Sequence, residues 1–154
     1  MISIDDFGRY SRILHRLSTD FVRAVPDDRW EFTPGPRFGP FCKQVRHVVC
    51  VRGVYNAALA TRKVDWTRRR EQYVGPLTRE ALLAALDEKQ RDLLAILPHV
   101  TIDATIDWDG TPFTFADFTW EFVQHEAIHH GQWSLYASLA GFDTPHSWRT
   151  SWGL

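Results

Sequence analysis

The sequence predicts an all-α fold, a four-helix bundle with a short β-hairpin between the third and fourth helices. Four stretches carry apolar residues at steps of three and four, which is the helical period. Residues 100–113 instead alternate apolar and polar residues before and around Asp109–Gly110, a hairpin-turn signal. A chain of 154 residues fits one ordinary domain, so we expect residues 1–154 to form a single bundle domain.

The first helix is predicted from a cap and an apolar stripe. Ser3, with Asp6 three residues later, resembles a capping box. The stripe that follows is expected to continue to about Val25, where a proline and two aspartates end the helix. The segment 30–40 is too rich in Pro and Gly for a helix and too aromatic for a free linker. We therefore expect it to be an ordered loop packed on the bundle.

The second helix is predicted to run from about Phe41 to Arg62. Its valines and alanines cover a wide apolar arc, and His47 lies inside that arc. The polar, basic stretch 61–72 that follows is expected to be a loop. Within it, Arg68–Arg70 is interpreted as a solvated charge run rather than a binding patch.

The third and fourth helices have clear boundaries. Thr78 is a predicted N-cap for the third helix, which carries six leucines on one side and ends at Pro98. Thr114 is expected to cap the fourth helix, which should reach Ala140 before Gly141 in a left-handed conformation. The aromatic tail after it is expected to dock on the bundle instead of fraying.

Composition limits the class of function. The net charge is −1, which does not indicate the dense basic surface of a nucleic-acid binder. Cys42 and Cys50 lie eight residues apart on one predicted helix, roughly 12 Å by helical rise, which forbids a mutual disulfide. Two free cysteines, an acidic N-terminus and the absence of a long apolar window predict a cytoplasmic chain that binds neither membranes nor nucleic acid.

The fourth helix carries the candidate chemistry. His125 and His129 are four residues apart and would project from one helical face, as metal ligands do. Sites in bundles are built from facing helices, so His47 on the second helix is the candidate third ligand. Three histidines leave at least one coordination position open, as in catalytic metal sites. Gln132 and Tyr136 continue the same face and are candidates for contacting the ligands or the substrate.

Glu126 completes a His-Glu-x-x-His pattern, which in metalloproteases supplies two zinc ligands and a general base. We disfavour that interpretation because no third ligand with suitable spacing follows. Glu126 could instead form a salt bridge or orient a histidine; alternatively, Glu126 and His130 lie on a second face that contacts solvent or a subunit partner. His15 and His99 are interpreted as structural or surface residues, and His146 is a weaker pocket candidate in the aromatic tail.

Three groups of residues resemble the DinB/YfiT-like family of DNA-damage-inducible and thiol-transferase helical bundles. The resemblance covers essentially the whole chain, and its motif on the fourth helix is fairly specific in a bundle. The matching segments are Trp30 with Phe32 and Pro34, then Gln44–Val45–Arg46–His47–Val48, then His125–Glu126–Ala127–Ile128–His129–His130–Gly131–Gln132, followed by Gly141 and a Pro/Trp tail.

The resemblance implies a four-helix bundle that holds a divalent metal, nickel or zinc in related proteins, on three histidines that match His47, His125 and His129. It also implies a homodimer. Family members with known chemistry use the metal to activate a low-molecular-weight thiol for S-transfer or isomerisation. A divalent cation deprotonates a bound thiol or water at neutral pH, so this chemistry is physically sound.

Three functional hypotheses follow in order of preference. The first is a metal-dependent thiol S-transferase or hydrolase whose partners are a small-molecule thiol and an electrophile. The second is a non-enzymatic, stress-related metal- or ligand-binding dimeric bundle, which would be favoured if Cys50 or Glu126 blocked the remaining metal positions. The third is DNA binding through Arg68–Arg70, the only basic cluster.

Overall fold

The computed structural model describes residues 2–153 and confirms the predicted helical bundle with its short hairpin. The ends of the four main helices agree with the sequence predictions to within about two residues. These helices are α1 (Ile4–Ala24), α2 (Phe41–Thr61), α3 (Arg79–Ile96) and α4 (Phe115–Ala140). Shorter helical elements are the 3₁₀ segments Asp27–Arg29, Trp66–Gln72 and Leu97–His99, and the C-terminal helix α5 (His146–Trp152).

The predicted caps are present. The Ser3 hydroxyl accepts the amide of Asp6, whose carboxylate accepts the Ser3 amide in return. The same reciprocal pair joins Thr114 and Asp117 at the start of α4. Gly141 ends that helix with φ +77°, a left-handed conformation that glycine adopts without strain. These caps satisfy amides that have no helical partner, and so they fix where the helices begin.

The hairpin is shorter than the alternating pattern predicts. Strand β1 (Ile106–Trp108) pairs antiparallel with β2 (Thr111–Phe113), and Asp109 and Gly110 form the turn with φ values of +49° and +86°. The alternation before Ile106 does not form a strand. There the chain first closes the 3₁₀ turn after α3, and then forms a turn in which Ala104 donates to the Thr101 carbonyl. Local turns satisfy those backbone groups, so strand pairing begins later.

The segment after α2, predicted as a loop, forms the 3₁₀ helix Trp66–Gln72 and packs on α2. Gly53 allows the close approach. A Cβ atom at that position would lie 2.5 Å from Oε1 and 2.8 Å from Cβ of Gln72. The basic stretch is therefore held against the second helix beside His47, rather than extending into solvent.

The core consists of two clusters of buried apolar residues, one towards each end of the bundle. The tail contributes to one of them, as predicted. Trp148 of α5 is fully buried, its ring centroid lies 4.4 Å from that of Phe21, and its indole donates to the Leu17 carbonyl at 2.8 Å. No helix within residues 2–153 combines the length and apolar character needed to cross a membrane.

Candidate metal centre

Three imidazoles meet between α2 and α4. Nε2 of His125 lies 3.2 Å from Nε2 of His47 and 3.2 Å from Nε2 of His129. The ligand atoms of all three side chains lie within 4.8 Å of one another. We call these residues the three-histidine group. The helix spacing of four places His125 and His129 one turn apart, and α2 presents His47 from the facing helix.

The three-histidine group fits a metal ion. A tetrahedral ion with metal–nitrogen distances of about 2.0–2.1 Å sets neighbouring ligand nitrogens roughly 3.3 Å apart, close to the 3.2 Å separations here. Imidazole is a ligand for several divalent metals, so the donor set does not select one. The group can therefore hold a metal ion whose identity the geometry leaves open.

The electrostatic surroundings keep these imidazoles neutral at pH 7. Burial, together with the nearby charges of His129 and Arg69, lowers the pKa of His47 to about 4. Burial lowers the pKa of His125 to about 3 and also lowers the pKa of His129. Neutral imidazoles offer a free lone pair on one ring nitrogen. The rings are thus in the protonation state that metal ligation requires.

The two further predicted site residues have different surroundings. Gln132 opposes the lowering of the pKa of His129, but the Nδ1 atoms of His125 and His129 have no hydrogen-bond partner among the described residues. Tyr136 is buried in the core, where its hydroxyl donates to the Gly39 carbonyl at 2.6 Å. Gln132 thus affects the protonation of one ligand without a hydrogen bond to it, whereas Tyr136 is hydrogen-bonded to the loop before α2.

A second buried polar cluster lies on another face of α4. Arg52 binds Glu126 through two hydrogen bonds, Nε to Oε1 at 2.7 Å and Nη2 to Oε2 at 2.9 Å. Both side chains are 2% exposed. Burial alone would raise the pKa of Glu126, but the Arg52 guanidinium holds it at about 2. This pair confirms the salt-bridge alternative for Glu126, and it directs the carboxylate away from the protease role.

The Arg52–Glu126 pair extends into a network through four further side chains. The Ser18 hydroxyl lies 3.1 Å from Glu126 and 2.8 Å from Nε2 of His130. Arg52 also reaches Nδ1 of His15 at 3.1 Å. Nε2 of His15 in turn lies 3.0 Å from Asp87 on α3. The network thus joins α1, α2, α3 and α4.

The other alternative, that Glu126 and His130 lie on a face contacting solvent or a partner, is wrong, because they are only 1% and 3% exposed. Arg52 supplies the counter-charge for the buried Glu126 carboxylate, and the sequence analysis did not predict this pairing. The available signal was an arginine inside the apolar arc of α2, where an unpaired charge would be costly. His99 and His146 are exposed, as expected of surface residues.

A pocket of about 440 Å³ adjoins the three-histidine group. His47 lines it together with Cys50, which is buried and whose pKa is raised by that burial. Cys50 is not among the clustered ligand atoms, and it forms no disulfide with Cys42. Arg69 and Arg70 also line this pocket, so part of the run interpreted as solvated borders the candidate site.

The fold and the site together define a helical bundle with a candidate cation site on two facing helices. A model of the DinB superfamily matches residues 12–133. The chain therefore belongs to the DinB superfamily, which confirms the resemblance found in the sequence.

Two solved structures share the fold. The chain is similar to a DinB-like protein from Bacillus subtilis, with a TM-score of 0.71, 14% identity, and coverage of 92% of this chain and 96% of that one. It is also similar to a putative member of the DinB family from Exiguobacterium sibiricum, with a TM-score of 0.68, 20% identity, and coverage of 91% and 93%. No curated protein gives a significant match.

Proposed function

We propose that this chain is a divalent-metal-dependent enzyme that activates a low-molecular-weight thiol or water for S-transfer or hydrolysis. The observation that carries the proposal is the convergence of three neutral imidazoles beside a pocket of about 440 Å³. Three protein ligands leave room for an exchangeable one, and catalysis requires such a position. A structural site would be expected to close with a fourth side chain.

Zinc and nickel are the metals we propose, as the family resemblance implies. When bound, a divalent cation would lower the pKa of a thiol or water enough to give a nucleophile at neutral pH. His47, His125 and His129 would hold it. Glu126 does not compete for this role, because both carboxylate oxygens accept hydrogen bonds from Arg52.

Gln132 is proposed to orient His129 or the substrate, since it continues the helical face of His125 and His129 and influences the pKa of His129. For Tyr136 we propose an indirect positioning role. Its hydroxyl holds the Gly39 carbonyl, and Gly39 immediately precedes the turn that starts α2. Replacing Tyr136 by Phe removes only that hydrogen bond, so it tests whether the start of α2 must be fixed for the site to work.

Metal content tests the site directly. The purified protein, dialysed against zinc or nickel, should hold about one equivalent per chain by plasma mass spectrometry. The His125→Ala and His129→Ala variants should each bind at least 100-fold more weakly, because a three-ligand site loses one ligand. The exposed His146 provides the matched control, and His146→Ala should retain the wild-type content. Unchanged content in His125→Ala and His129→Ala would refute the assignment.

Thiol activation is tested separately on the metal-loaded protein. Loss of a model electrophile, such as monobromobimane, should accelerate with a small thiol present and should require His125. A metal-loaded protein with no thiol- or water-dependent turnover, and no exchangeable metal ligand, would instead support a non-enzymatic metal-binding bundle.

We also propose a homodimer built on α4. Four large apolar side chains of this helix, Trp120, Ile128, Leu135 and Leu139, are 59–63% exposed. At 100° per residue they fall within an arc of roughly 100°, so they form one continuous face. A two-fold axis would bury this face against its own copy. Sedimentation velocity should show a dimer that Leu135→Lys converts to monomer, while Ile13→Lys on α1 does not.

A further inference from the structure

The pocket beside the three-histidine group has a concentrated positive charge. Four cationic side chains line it: Lys43 and Arg46 from α2, and Arg69 and Arg70 from the 3₁₀ helix Trp66–Gln72. No acidic residue contributes to the lining. The whole chain has a net charge of −1, so this concentration is a local property of the fold.

These four charges have no partners among residues 2–153. Salt bridges in that part of the chain involve other arginines and lysines, and none joins Lys43, Arg46, Arg69 or Arg70 to a carboxylate. By contrast, the preceding residue Arg68 binds Glu71 at 3.0 Å. Like charges held around one pocket repel each other, and an anion that enters relieves this repulsion.

The pocket and the candidate metal centre share His47, which lines the pocket and belongs to the three-histidine group. A molecule bound here would lie against His47, so one of its groups can contact the cations while another is directed towards the three-histidine group. A volume of about 440 Å³ is within the range of small-molecule sites, roughly 300–1,000 Å³. Arginine guanidinium groups bind carboxylate and phosphate oxygens in a bidentate manner.

We propose that this pocket binds a carboxylate or phosphate of the substrate, so that the substrate is a small anionic molecule whose reactive end reaches the three-histidine group. The identity of the reactive end rests on the proposed function. The anion site rests only on the four unpaired cations, and it can be tested with or without a metal.

The first test compares matched ligands on cobalt-loaded protein, in which a thiolate bound to cobalt gives a near-ultraviolet charge-transfer band. Glutathione is compared with its diethyl ester for carboxylates, and coenzyme A with pantetheine for phosphates. In at least one of the two pairs, the ligand with the anionic group should bind ten or more times tighter than the ligand that lacks it. The pair that shows the preference identifies the group.

Substitutions show which cationic side chains cause the tighter binding of the anionic ligand. Arg46→Gln and Arg69→Gln should each weaken the anionic ligand about tenfold, the size expected for a lost charged hydrogen bond, and should leave the diethyl ester or pantetheine unchanged. Arg68→Gln is the matched control, since it lies in the same run but is paired with Glu71. Equal affinity within both ligand pairs, with the cobalt band present, would overturn the inference while leaving the proposed function standing.

The second test needs no metal. Pyrophosphate and citrate should bind the metal-free protein in calorimetry, and the double variant R46Q/R69Q should lose at least tenfold of that affinity. If cobalt does not bind, or if no thiol gives a charge-transfer band, the proposed function fails. The calorimetry on metal-free protein then decides by itself whether the anion site exists. No detectable binding of either anion at low salt, or binding unaffected in R46Q/R69Q, would then overturn it.

Discussion

His125 and Glu126 are neighbours in α4, yet they belong to two polar clusters with opposite character. The network around Glu126 pairs a carboxylate with a guanidinium and extends through Ser18 to His130. The three-histidine group contains only imidazoles, and Nε2 of His125 lies 3.2 Å from Nε2 of both His47 and His129. Among the described residues the carboxylate of the first cluster is paired with a guanidinium, whereas the second is a set of imidazoles that could hold a cation; we call them the complete and the incomplete cluster. This difference fits a structural role for the first cluster and the metal-binding role proposed for the second.

The largest expected effect comes from breaking the complete cluster. Glu126→Ala leaves Arg52 buried without a counter-charge, and we expect a loss of about 3–5 kcal/mol in the free energy of unfolding, measured with urea. Replacing both partners, as in R52M/E126L, should recover most of that stability because no charge remains buried. A loss below about 1 kcal/mol for Glu126→Ala would contradict the importance of this pair.

Acid should weaken the metal-free protein in two stages. Burial lowers the pKa of His130 from 6.5 to about 4, so the unfolded state binds more protons below pH 6.5 and stability falls towards pH 4. For His130 this amounts to on the order of 3 kcal/mol. Glu126, whose pKa falls from 4.5 to about 2, stabilises the fold above pH 4.5, and this contribution is lost between those two values.

Denaturation curves from pH 8 to pH 3 measure this dependence. His130→Gln removes one of the histidines whose pKa is lowered from 6.5 and should flatten the upper stage, between pH 6.5 and pH 4, in part, since His15, His47, His125 and His129 still titrate there. A wild-type stability that stays constant from pH 7 to pH 5 would show that the buried histidines do not resist protonation.

A smaller effect is expected where the basic 3₁₀ helix touches α2. Gly53→Ala gains helix propensity but places Cβ against Gln72, so the segment must shift. We expect a net loss of about 1–2 kcal/mol and weaker pyrophosphate binding. Gly131→Ala is the matched control, because a Cβ there meets nothing within 4 Å. In dilute protein it should stabilise by about 0.5–1 kcal/mol, and equal effects of the two substitutions would contradict the close packing at Gly53.

The smallest effect on stability is expected in the incomplete cluster. His125→Ala removes a partly exposed ring with an unpaired nitrogen, so metal-free stability should change by less than about 1 kcal/mol. The same substitution should abolish metal binding. Differential scanning fluorimetry with and without zinc separates the two readouts, and a loss of several kcal/mol without metal would mean that the histidines are structural.

The sequence predicted the elements that depend on local signals. Capping residues located the starts of α1, α3 and α4, and helical periodicity placed His125 and His129 on one face. His47 was identified by its place on the second helix and by family resemblance. Each of these predictions needs only residues close in the chain, or a pattern that repeats along one helix.

Features that depend on what a side chain meets in three dimensions were not predictable. Arg52 lies among apolar residues, and nothing nearby in the chain shows that its counter-charge is 74 residues away. Arg69 and Arg70 belong to a charged run whose composition predicts exposure to solvent. In the structure this segment packs on α2, with Gln72 against Gly53, and the two arginines line a pocket together with His47. The alternation before Ile106 failed as a strand signal because local turns satisfied its backbone groups.

The packing of Gly53 against Gln72 has a consequence for how this protein can diversify. The histidines come from the two long central helices, while half of the cationic lining comes from one short segment resting on α2. Substitutions in residues 66–72 can therefore alter ligand preference without rebuilding the histidine site.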